Sequence, residues 1–116
     1  MRDATIGMPP GPQMLTEADH GKTVETQVGA ELVVRLHETA SNGYTWSPDD
    51  LDPAISVPVK PTYTRRSDAV GGPSDVEWTL TANKLGTFRI GFKLWRPWEG
   101  DSSVLRHYIV TLLVRP

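Results

Sequence analysis

With 116 residues the chain has the length of one domain and can bury a single core but hardly two. A net charge of −2, with acidic and basic residues interspersed, leaves no basic footprint for nucleic acid or for an anionic membrane surface. The absence of cysteine removes a disulfide framework, a thiolate nucleophile and a thiolate zinc site together, so packing alone must hold the fold.

Residues 1–13, MRDATIGMPPGPQ, have no apolar run of signal-peptide or membrane-span length, and Pro9, Pro10 and Pro12 stiffen a segment with nothing to pack. They are expected to form a tail, followed by one domain over 14–116. As written the chain is expected to be cytoplasmic, or exported if a leader has been removed. Beyond the tail, eight glycines and seven prolines punctuate short runs in which apolar and polar residues alternate, the pattern of an all-β sandwich.

In chain order, weak strands are expected near Met14–Glu17 and Thr23–Val28. A stronger one follows, in which Leu32, Val34 and Leu36 face the core against Val33, Arg35 and His37. Tyr44–Ser47, Ile55–Val57 and Lys60–Thr64 read as short strands. Prolines 53, 58 and 61 confine that middle stretch to an edge, because proline cannot donate to a sheet ladder. Val76, Trp78, Leu80 and Ala82 repeat the alternation. Thr87–Trp95 is the clearest strand, with Phe88, Ile90, Phe92 and Leu94 inward, and 104–114 closes the chain with Tyr108, Val110, Leu112 and Val114 at the same period. Seven to eight strands in about 100 residues predict an immunoglobulin-like antiparallel β-sandwich, whose alternate connections gather at one end.

Three connections have unusual composition. Thr39-Ala40-Ser41-Asn42-Gly43-Tyr44-Thr45-Trp46 contains Asn-Gly, which supports positive φ, with Tyr44 directly after it and Trp46 directed to the core. Taken alone it reads as an ordinary hairpin turn. Ser67–Ser74 carries Val70, Gly71 and Gly72, where a backbone without side chains can approach another surface; no lysine and no helix follow, so it is not a phosphate loop. Trp95–Gly100 carries Arg96, Pro97 and Trp98, and Trp and Arg are the residues enriched in binding hot spots.

Together these segments resemble the chagasin-type inhibitors of papain-like cysteine peptidases. In that family one loop carries Asn-Pro-Thr-Thr-Gly then Tyr or Phe with a Trp two residues later, a second is glycine-rich, and a third contains Arg-Pro-Trp. Gly43, Tyr44 and Trp46 match the first motif and Ser41 substitutes closely for a Thr, whereas Thr39, Ala40 and Asn42 depart from it. Gly71 and Gly72 match the second, with Ala69 and Pro73 departing, and Arg96, Pro97 and Trp98 match the third unchanged. The resemblance implies reversible, competitive inhibition by three loops laid across a peptidase cleft, with Ser41, Asn42, Gly43, Tyr44, Val70, Gly71, Gly72, Arg96, Pro97 and Trp98 as the contact residues.

Catalysis is not expected. His20, His37 and His107 lie far apart with no second ligand at metal spacing, and no nucleophile elbow or Ser/His/Asp set is present. Neither cofactor nor metal is expected, and the partner is a peptidase bound by a monomer. Exposed tryptophans leave a carbohydrate-binding or adhesion module on the same sandwich as the alternative, since fold alone does not decide function.

Overall fold

The computed structural model describes residues 13–39, 42–56, 61–65 and 73–116. Among the described residues nine strands form two sheets: β1 (Gln13–Leu15), β2 (Thr23–Gln27), β3 (Glu31–Thr39), β4 (Thr45–Pro48), β5 (Ile55–Ser56), β6 (Thr62–Arg65), β7 (Pro73–Ala82), β8 (Gly86–Trp95) and β9 (Arg106–Arg115). One sheet runs β1-β3-β7-β5, with β6 also on β7; the other runs β2-β9-β8-β4. β1 begins at Gln13, and the expected tail before it lies outside the described residues.

The sandwich is the expected one, with one strand more than anticipated and two edge pairings that are parallel: β1 with β3 and β2 with β9. The first follows from chain path. β1 and β3 belong to one sheet and β2 to the other, so two crossings between sheets reverse the chain twice and return β3 in the direction of β1. The central ladders β3–β7 and β8–β9 are antiparallel. Proline placement also behaves as expected, since the edge beside β7 is divided between β5 and β6, and Pro61 stands immediately before β6. The last strand starts at Arg106 rather than Val104, because Asp101–Ser103 winds into a 3₁₀ turn that Val104 N–H closes on the Asp101 carbonyl.

Alternation sets the core. Leu32, Val34, Leu36, Val76, Leu80, Ile90, Val110 and Leu112 have no exposed surface. Trp78, Phe92 and Tyr108 carry an aromatic contact from β7 across to β8 and β9, at centroid separations of 5.4 and 6.4 Å. Each such side chain contributes roughly 1.5–3 kcal/mol through burial, enough for packing to hold a chain without crosslinks. The Tyr108 hydroxyl donates to the Thr16 carbonyl at 2.8 Å, tying β9 to the segment that leaves β1.

Candidate functional site

Register places the loops. The end of β3 lies opposite the start of β7, with Glu38 beside Ser74 and Thr39 beside Pro73, and β6 ends with Arg65 also beside Ser74. In the other sheet the start of β4 lies opposite the end of β8, with Thr45 beside Trp95. The β3–β4, β6–β7 and β8–β9 connections therefore leave from one end of the sandwich. The first of these is not a hairpin turn: it carries the chain from one sheet to the other.

Among the expected contact residues, Asn42, Gly43, Tyr44, Arg96, Pro97 and Trp98 are brought together; Ser41, Val70, Gly71 and Gly72 lie outside the described residues. Asn42 folds the first loop locally, its Oδ1 accepting from the Tyr44 N–H at 3.0 Å. Gly43 has φ of +79°, the conformation anticipated from Asn-Gly.

The side left bare at Gly43 faces the third loop. A Cβ there would sit 2.7 Å from Cη2 of Trp98, so the indole edge takes the space that a side chain would need. Arg96 completes the joint: its Nε and Nη2 donate to the Asn42 carbonyl at 3.2 and 3.0 Å, and its guanidinium stacks 4.4 Å from the centre of the Tyr44 ring. Nη1 lies 3.4 Å from Glu99. Arg96 thus spends its donors inside the molecule. Trp98, on the 3₁₀ turn Pro97–Glu99, stays 70 % exposed and projects as an apolar tip.

The third loop is held from behind. Ser103 Oγ accepts from the Arg96 N–H at 2.9 Å and lies 2.7 Å from the Gly100 carbonyl. Gly100 adopts φ 78°, ψ −169°, a backbone region reserved almost wholly for glycine. Lys93 lies 3.7 Å from the centre of the Trp95 ring and 2.9 Å from Asp101, and the Trp95 indole N–H donates to Ser47.

The first loop is held by a residue that the motif pattern missed. Glu38 is only 7 % exposed; its Oε2 accepts from the Trp46 N–H at 3.0 Å and from the Thr45 hydroxyl at 3.2 Å. Trp46 is core, as expected, and donates its indole N–H to the His37 carbonyl at 3.0 Å. The sequence did contain a signal for Glu38, which occupies the inward parity of Leu32, Val34 and Leu36 on the same strand. Ser103 had no comparable signal in a polar loop.

Burial pushes the Glu38 carboxyl above its ordinary range, opposed in part by the hydrogen bonds from Trp46 and Thr45. The folded state then keeps this proton to higher pH than the unfolded chain. Its contribution to stability is complete below the ordinary carboxylate range and is lost as pH rises through the folded value. Glu38→Gln keeps an acceptor and carries no charge, so it is expected to melt higher than the parent near pH 7 and to converge with it below about pH 4. Thermal melts across that range check this, and a difference independent of pH would contradict it.

A groove on the outer face of the β8 sheet, lined by Asp49, Asp50, Arg89 and His107 over Gly91 and Ile109, offers no comparable tip. Asp50 is paired with Arg89 at 2.7 Å, and Asp49 lies 3.8 Å from His107.

Comparison with known proteins agrees with this geometry. The sequence model described as Chagasin family peptidase inhibitor I42 matches residues 25–112. The chain belongs to the chagasin peptidase inhibitor family. This inhibitor is 29% identical over 105 residues to Amoebiasin-2 of Entamoeba histolytica, covering 88% of this chain and 85% of that one. Its fold matches the crystal structure of the cysteine protease inhibitor EhICP2 from Entamoeba histolytica at a TM-score of 0.75 and 24% identity, over 90% of this chain and 96% of that chain. PbICP-C, solved in complex with falcipain-2, matches at a TM-score of 0.58 and 19% identity, over 90% and 92%. As a peptidase inhibitor the protein is not an enzyme, and the sugar-binding and adhesion alternatives fall away.

Proposed function

We propose that this inhibitor acts on papain-like cysteine peptidases, reversibly and competitively, by inserting the loop end of the sandwich into the active-site cleft. The observation that carries this is the joint built by Asn42, Gly43, Tyr44, Arg96 and Trp98, which presents a bare glycine turn beside a projecting indole. Two loops already locked to each other lose little conformational freedom on binding, and that favours a tight complex. The 70–72 segment, which in sequence joins β6 to β7, supplies the third contact. The relative EhICP2 is a cysteine protease inhibitor, which supports this target class.

The tip turns the Arg96 charge inward, onto the Asn42 carbonyl, Glu99 and the Tyr44 ring. It occupies a cleft rather than reacting in it. Titrating papain with the purified protein is expected to give an inhibition constant between nanomolar and micromolar, with activity recovered on dilution and trypsin unaffected. Full papain activity at about 50 µM inhibitor, beyond the weak end of specific recognition, would overturn the assignment.

A further inference from the structure

We propose that Glu38 is a positioning residue for inhibition: its carboxylate fastens the start of β4 to the end of β3 and so sets the pose of the Asn42–Tyr44 tip. This rests on that tip being the peptidase-binding surface. Glu38 ends the inward row Leu32, Val34, Leu36 on β3, where an apolar side chain would ordinarily stand. A carboxylate taken from water at such a place is costly unless its oxygens are satisfied, and here they accept from Thr45 and Trp46 on the facing sheet. One residue earlier the His37 carbonyl accepts the Trp46 indole N–H. These bonds close the base of the crossing loop, whose tip begins only four residues after Glu38 and ends at Tyr44, next to Thr45.

The same carboxylate stands where the frames of all three loops meet. Glu38 pairs across the sheet with Ser74, just beyond the 66–72 segment. The Trp46 ring beneath it lies 5.6 Å from the guanidinium of Arg106, where the chain enters β9 after the Trp98 loop. Glu38 is buried and has no surface to offer a peptidase, so its effect on binding passes through the residues that it holds. A group that fixes the orientation of contact residues from behind is as necessary to a precise surface as the contacts themselves.

The test compares Glu38→Ala, Glu38→Asp and Glu38→Gln in the full chain. Inhibition constants for papain are measured well below each melting temperature, alongside amide spectra reporting Gly43 and Tyr44 and the indole signal of Trp98. Gln offers an acceptor at the same reach, Asp falls one methylene short, and Ala offers none. Ala is expected to raise the inhibition constant at least tenfold and to shift the Gly43 and Tyr44 signals, Asp to do so nearly as much, and Gln to stay within about threefold of the parent. If Ala proves unfolded, the contrast between Asp and Gln carries the test. Parent-like inhibition and unshifted tip signals in Asp, and in Ala where folded, would overturn the proposal, as would equal weakening by all three variants. Failure of the parent itself to inhibit papain would instead remove the functional assignment; the tip signals would still report whether Glu38 sets the pose.

Discussion

Replacing Gly43 with valine is expected to raise the inhibition constant for papain about 100-fold, equivalent to roughly 2.8 kcal/mol, while the sandwich stays folded. Two effects add. At φ of +79° a β-branched residue is strained by about 1–3 kcal/mol, which a domain with roughly 5–15 kcal/mol of stability survives. A Cβ at this position also meets Trp98 Cη2 at 2.7 Å and Cζ2 at 3.2 Å, so the indole must leave its seat. Damage to the first loop is therefore transmitted to the third. Circular dichroism and an inhibition constant for Gly43→Val check the prediction, and an intact fold with parent-like inhibition would take this loop out of the mechanism. The transmission has its own signature: in a Trp98→Ala background, Gly43→Ala should cost markedly less than in the parent, a non-additivity expected only of groups in contact.

Trp98→Ala is expected to weaken inhibition by about 2 kcal/mol or more, near 30-fold, with a stability change within about 0.5 kcal/mol. The indole is 70 % exposed, so its truncation removes little buried area from the free protein, whereas burying that surface against a peptidase is where a tryptophan contributes most. Its mount is independent of the ring: Ser103 and Gly100 hold the loop through backbone contacts that the substitution leaves untouched. Inhibition constants and melting curves measured together decide the matter. A melting temperature lowered by many degrees would show that Trp98 acts chiefly as packing against Gly43, and unchanged inhibition would show that it is not an anchor.

Much of this protein was legible in its sequence because its strands obey a period of two. Leu32, Val34 and Leu36, or Tyr108, Val110, Leu112 and Val114, name their own buried face, and strands of this kind cover that face by packing sheet on sheet, as a sandwich or a barrel. Asn-Gly announced a positive φ at Gly43, since that conformation is a property of the residue itself. The order of the Gly-Tyr, Gly-Gly and Arg-Pro-Trp segments sufficed to place the chain in its family.

What the sequence left open are relations between residues distant along the chain. Gly91 reads as one position on an outer strand face, yet the Asp49 carbonyl fills the space that its Cβ would take. Arg96 reads as an outward hot-spot residue; only the fold shows its guanidinium spent on Asn42 and Tyr44, some fifty residues earlier. Glu38 stood at an inward parity, but the donors that make a buried carboxylate tolerable there belong to the other sheet. Alternation along a strand is local and records which side of the backbone is wet. Which polar group meets which across the sandwich depends on register and sheet order, and these are set by the packing of the whole core rather than by any one segment.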